Sequence, residues 1–178
     1  MDRVYAGWRM ATPKDAAADG SDHELITPEP GKTLFETIEQ LPLADEETYM
    51  IARRRSAFAI LNVFPYTSGH VMVLPKRAVI NILELSDEEH DDLWQLVRIA
   101  YRAVGDAFKP DGMNVGINEG RAGGASQPDH LHVHVVPRWY ADTSFTTSVA
   151  EIRILPMTLR DSWDRVRACW PEPLPSDA

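Results

Sequence analysis

The sequence predicts an α+β fold: an antiparallel sheet of about five strands carrying two principal helices. Three observations predict it. Strand-forming runs come in hairpin-like pairs around turn clusters, one long amphipathic helix separates two such groups, and the regular strand–helix alternation of a parallel sheet is missing. With 178 residues, 44% hydrophobic and 25% charged, the chain can fill one core and is too short to build two good ones.

Residues 1–30 are rich in Ala, Asp, Pro and Gly without a sustained period. They read as an arm, docked in part through Tyr5 and Trp8, ahead of a single domain over 31–178 that includes a C-terminal extension. From Ser56 the signals sharpen. SAFAILNVF (56–64) is a strand, PYTSG (65–69) a turn cluster, and HVMVLP (70–75) a second strand. A helix follows: Ser86 and Glu89 make a capping box, and Leu93, Leu96, Val97, Ala100, Tyr101, Val104 and Phe108 recur at helical spacing. GMNVGIN (112–118) reads as a strand, EGRAGGASQPD (119–129) as a glycine-rich loop, and HLHVHVVPRW (130–139) as a strand. EIRILP (151–156) reads as a further short strand, and a final helix over 158–170 stops at Pro171.

Charge and composition exclude several function classes. A net charge of −9 argues against nucleic acid or an anionic membrane surface as partner, since both are polyanions. A small anionic ligand stays open if positive groups gather at one site. The single cysteine, Cys169, leaves no internal disulfide framework. No apolar run spans a bilayer, and the first residues lack the apolar stretch of a secretory signal, so a cytoplasmic protein is expected.

Half of the six histidines fall at alternate positions in HLHVHVV (130–136). Three valines and Pro137 favour a strand. There all three imidazoles project from one face, over an exposed or cleft-facing surface, while Leu131, Val133 and Val135 enter the core from the other. Three readings compete. A metal could be shared by two histidines at i and i+2, but four residues at roughly 3.3 Å put His130 and His134 about 13 Å apart. One ion with bonds near ~2 Å cannot bridge that span. A merely solvated strand face would be served as well by Asp, Lys, Thr or Ser. The third reading is nucleophilic catalysis on phosphorus, in which neutral imidazole forms a labile N–P bond. It needs one ring nitrogen free while the other donates to a fixed acceptor. His132, with an imidazole on each side, is then the nucleophile.

The preceding loop supports an anion. Gly120, Gly123 and Gly124 let backbone N–H groups converge without side-chain interference, and Ser126 adds a hydroxyl donor. Alone, such a loop is more often just a turn. His23 and His90 have no histidine neighbours and read as surface residues.

These residues resemble the histidine triad (HIT) family, whose mark is His-φ-His-φ-His-φ-φ with φ hydrophobic. Here it is complete from His130 to Val136 and is followed by Pro137-Arg138. The resemblance runs from about Phe35 to Trp139 and includes LNVFPYTSGHVMVLP (61–75). It implies a homodimer with the sheet continued across the interface, and cleavage or transfer of nucleoside monophosphates through a nucleotidyl-histidine intermediate. Carried over by position, His132 is the nucleophile, and His130 and His134 support phosphate binding and proton traffic. His70 falls behind the triad, although read alone it is also a satisfied core histidine. Asn62 falls where ribose hydroxyls are contacted, against a plain reading as a turn-capping asparagine. Asn118, with Gly124, Ala125 and Ser126 of the loop, falls beside the phosphates and leaving group.

Within the family the chain looks most like the bacterial diadenosine tetraphosphate phosphorylases, which use phosphate in place of water. Many members carry C-x-x-C near the N-terminus for structural zinc. This chain has Thr33-Leu34-Phe35-Glu36 there, so no structural metal is expected, and magnesium enters only with the substrate's phosphates. Two rival functions stand beside this one: a nucleotide-binding module without turnover, and a metal-dependent hydrolase.

Overall fold

A computed structural model describes residues 26–143 and 155–172. Its strands are β1 (Met50–Arg53), β2 (Ala57–Leu61), β3 (Val71–Pro75), β4 (Gly112–Ile117) and β5 (Val133–Arg138). They form one antiparallel sheet in the order β1-β2-β3-β5-β4. The helices are α1 (Leu34–Gln40), α2 (Asp45–Thr48), α3 (Asp87–Phe108) and α4 (Leu159–Ala168), with a 3-10 turn at Ile82–Glu84.

Strand alternation divides the apolar residues between the two sheet faces. Ala57, Ala59, Leu61, Val71, Val73, Val133 and Val135 form one core with Leu93, Leu96, Val97, Ala100 and Val104 of α3 and Trp163 and Val166 of α4. On the other face Met50, Phe58, Ile60, Met72 and Leu74 pack with Phe35 of α1. The register carries this second face straight to the histidines: Met50 lies opposite Ile60, Ile60 opposite Met72, Met72 opposite His134, and His134 opposite Gly116.

The capping box at Ser86 and Glu89 forms as expected and starts α3 among three acidic residues that suit the positive end of its dipole. Tyr101, one of the residues at helical spacing, is exposed at the margin of the apolar stripe. A buried ion pair ties α3 to the sheet. Asp92 accepts from Arg54 Nε, from Ser56 N at 2.8 Å and from Ser56 Oγ at 2.9 Å. Helix α4 covers edge strand β1 from the side, with Trp163 Nε1 donating to Met50 O at 2.9 Å and Arg167 to Ile51 O at 2.7 Å.

The fifth strand is β1, which the sequence reading does not pick out. Four residues, MIAR, entered from a left-handed Tyr49 (φ 56°), carry too little pattern to register. Of the strand expected at 151–156, only Leu155 and Pro156 are described, and neither is in a strand; 151–154 lie outside the described residues, as do 1–25 of the arm with Tyr5, Trp8 and His23. The histidine strand also starts later than expected, at Val133. The ladder with β3 parts after the pair Val73–Val133, although β3 itself runs on to Pro75: the Pro75 carbonyl takes His130 Nε2, and Leu131 N bonds to Val79 O at 2.7 Å. Among the described residues, no helix is long and apolar enough to cross a membrane.

Candidate active site

Leu131, Val133 and Val135 enter the α3 core as expected. The three imidazoles do share the opposite face, but they are buried rather than displayed: His130 is 1% exposed, His132 5% and His134 7%. The cause is α1. The Phe35 ring packs edge-on to His130 with centroids 5.6 Å apart and lies 5.8 Å from His132.

Fixed partners assign a tautomer to each ring, because a carbonyl only accepts and a backbone N–H only donates. His130 Nε2 lies 2.8 Å from Pro75 O, so Nε2 carries the hydrogen, and Nδ1 accepts from the Thr33 hydroxyl at 2.8 Å. His132 Nδ1 lies 2.8 Å from His130 O and therefore donates to it. The lone pair of a neutral His132 is left on Nε2. Burial lowers the pKa of both His130 and His132 from the ordinary histidine value, favouring neutral rings.

A second chain fixes the remaining pair. His70, fully buried, accepts on Nδ1 from Tyr66 N at 3.1 Å. Its Nε2–H then donates to His134 Nδ1 at 3.0 Å, and a neutral His134 must carry its hydrogen on Nε2. That atom meets the side-chain amide of Asn118 at 3.2 Å, with the Tyr66 hydroxyl 3.4 Å from the same amide. Both contacts are satisfied when the amide turns its oxygen toward them, an orientation set by the network. The Tyr66 ring lies 4.6 Å from His70 and 5.5 Å from His134, and His134 meets His132 edge-on at 4.8 Å.

The structure thus gathers His130, His132, His134, His70, Asn62 and Asn118 on one face. Asn62 does cap the turn, its Oδ1 accepting from Phe64 N at 2.9 Å, while its Nδ2 lies 3.2 Å from His70 Nδ1. The loop differs from the picture of convergent donors. Gly124 N donates to Arg121 O and Ala125 N to Gly120 O, each at 3.1 Å. Those two N–H groups close the loop on itself, and Ser126 is exposed. Gly123 is required there, since a Cβ would meet Glu119 O at 2.3 Å.

Sequence reasoning passed over Thr33, Phe35 and Tyr66 as site residues. For Thr33 a signal existed: T-x-x-E is a capping-box pattern, and Thr33 and Glu36 form one at the start of α1. Glu36 Oε2 accepts from Thr33 N at 2.9 Å and Oε1 from Ala78 N at 3.2 Å, bonds that hold its carboxyl below the usual range. A hydroxyl bonded to imidazole and a carboxylate occupied at both oxygens do not fit tetrahedral zinc. Among the described residues, no group of three or more His, Cys, Asp or Glu is placed to hold a metal.

Comparison with known proteins agrees with this geometry. The AP-4-A phosphorylase of Mycobacterium tuberculosis is 36% identical over 162 residues, which is 91% of this chain and 80% of that one. The asymmetrical bis(5'-nucleosyl)-tetraphosphatase of Schizosaccharomyces pombe is 37% identical over 92 residues, 52% of this chain and 50% of its own. A solved structure, the hypothetical histidine triad nucleotide-binding protein ST2152 of Sulfolobus tokodaii, superposes with a TM-score of 0.61 at 27% identity, covering 76% of this chain and 89% of that one. The model of the HIT domain matches residues 44–140, from ahead of β1 to just past β5, and so takes in every histidine of the site. The chain belongs to the HIT-domain family.

Proposed function

We propose that the protein cleaves dinucleoside polyphosphates such as diadenosine tetraphosphate, or related adenine nucleotides, at a phosphoric anhydride bond, through a nucleotidyl-histidine intermediate on His132. The observation that carries this reading is the bond from His132 Nδ1 to His130 O. It holds the proton on one nitrogen and leaves the other with the lone pair that attack on phosphorus requires. Nε2 displaces ATP from the adenylyl phosphorus, forming the N–P bond, and an acceptor oxygen then breaks that bond. His134, His70 and Asn118 hold one another in register beside the nucleophile and serve phosphate binding and proton traffic. Asn62 takes the ribose hydroxyls, and Gly124, Ala125 and Ser126 border the phosphates.

Orthophosphate is the acceptor favoured over water. The likeness to the mycobacterial phosphorylase over 91% of the chain supports it, whereas Pro128 removes one loop N–H and weighs against it. No structural metal is needed in this reading, and magnesium accompanies the substrate's phosphates. The protein acts in the cytoplasm as a homodimer. Support for the dimer comes from β4, which ends the sheet with Asn114, Val115 and Gly116 exposed, an open edge able to pair with its copy. Incubation with diadenosine tetraphosphate, with and without orthophosphate, tests the function. Phosphorolysis gives ADP and ATP, while AMP as the main product at millimolar phosphate would make the enzyme a hydrolase.

A further inference from the structure

We infer that Thr33, braced by Glu36, is a positioning residue for the nucleophile, acting through His130 from outside the matched HIT stretch. The Thr33 hydroxyl lies 2.8 Å from His130 Nδ1, and residues 44–140 are the part that matches the family model. His130 sits between two fixed points, Pro75 O on one ring nitrogen and Thr33 on the other. Its own carbonyl then holds the Nδ1–H of His132 at 2.8 Å. The path is therefore short: the Thr33 hydroxyl fixes the His130 ring, and the His130 carbonyl orients the His132 ring. No β-ladder bond holds residues 130–132, because β5 begins at Val133. The side-chain bonds at His130 do the job that a paired strand would otherwise do.

Glu36 keeps the hydroxyl in place. Its backbone N donates to Thr33 Oγ1 at 3.2 Å, while its carboxylate takes Thr33 N at 2.9 Å. The other carboxylate oxygen takes Ala78 N, just beyond β3. Thr33 Oγ1 lies 3.1 Å from Glu36 Oε2 as well, so its one proton has two acceptors. With His130 neutral, as burial favours, the proton goes to Nδ1, because among the described residues no other donor is placed on that atom. This network stands where thiolates would have to be for zinc, and it fixes His130 without a metal.

The kinetic part of the test rests on the proposed turnover; the spectroscopic part does not. Long-range 1H–15N spectra of the wild-type protein should show His130 protonated on Nε2, with Nδ1 unprotonated and hydrogen-bonded. The opposite tautomer overturns the inference whether or not diadenosine tetraphosphate is cleaved. Thr33→Val keeps the shape and removes the hydroxyl. It should lower kcat by about tenfold, the scale of one buried hydrogen bond lost from a positioned group, with KM changed by less than about twofold. In its spectrum the His130 Nδ1 signal should move while those of His70 and His134 stay. Thr33→Ser restores the hydroxyl and should recover both signals and rate. Wild-type kcat in Thr33→Val, or equal loss in Thr33→Val and Thr33→Ser, would overturn the inference, the second outcome assigning the effect to packing. A Thr33→Val protein that does not fold leaves the wild-type tautomer and the Thr33→Ser rate to decide.

Discussion

Replacing His132 by Asn separates the chemistry of this residue from its place in the fold. The asparagine Nδ2 reaches about the position of imidazole Nδ1 and can keep the bond to His130 O, now 2.8 Å long. What disappears is Nε2 with the far side of the ring, about two heavy atoms facing Phe35 at 5.8 Å and His134 at 4.8 Å between centroids. At a position only 5% exposed, this small loss of packing should cost about 1 kcal/mol. For a chain of this length that lowers the melting temperature by roughly 2–4 °C. Turnover should fall far more, by about 10⁴-fold or beyond, because no lone pair remains to form the N–P bond. Rapid-quench incubation with labelled diadenosine tetraphosphate should trap a protein-bound label in the wild type and none in the variant. Turnover above about one per cent of wild type would move the nucleophile elsewhere. A fall in melting temperature well beyond that range would show that the ring is chiefly a core support.

Burial lowers the His132 pKa from the ordinary histidine value of about 6.5, and the neutral ring is the nucleophile, so the acid limb of kcat/KM should have its midpoint below that value; a midpoint above it would contradict the assignment. Asp92→Ala strands the Arg54 guanidinium, 7% exposed, with Gln95 as a remaining acceptor at 3.0 Å. It should cost about 3–5 kcal/mol, measured by urea unfolding. Burial alone would raise the Asp92 pKa, but Arg54 and Ser56 outweigh it and hold it down. Its contribution is therefore complete above the unfolded carboxylate value near ~4 and is lost as pH falls through the folded value. Chelation with EDTA should leave the melting temperature unchanged, since backbone N–H groups occupy the Glu36 carboxylate; a drop of several degrees would reveal a metal.

The long helix and the histidine face were legible because both are local patterns. Ser86 and Glu89 mark the start of α3 three residues apart, and alternation at 130–136 sends Leu131, Val133 and Val135 one way and the imidazoles the other. Depth of burial was not legible. His130 is covered by Phe35 and bonded by Thr33, which lies 97 residues away along the chain, and no spacing rule reports such a contact. The internal bonds of the loop were not legible for a related reason: glycine content shows where N–H groups are free to turn, not which carbonyl receives them. Gly124 and Ala125 turn to Arg121 and Gly120 of their own loop. The pattern also could not show that pairing of the histidine strand waits until Val133, because that depends on where the two strands part, at Val73, two residues before β3 ends.

The protons of His130, His132 and His70 are assigned by main-chain atoms: Pro75 O, His130 O and Tyr66 N. The electronic state of the array is thus written into the path of the backbone, and exchanging neighbouring side chains leaves those three partners in place. Insertions and deletions are another matter. One residue added between Tyr66 and His70 would bring a different main-chain atom to the His70 ring and move its lone pair while every histidine survived, and one added between Pro75 and Val79 would shift the carbonyl that holds Leu131 N between His130 and His132. Changes of length in those two connections should therefore disturb the array more than most substitutions in them, since a substitution leaves the main-chain partners where they are.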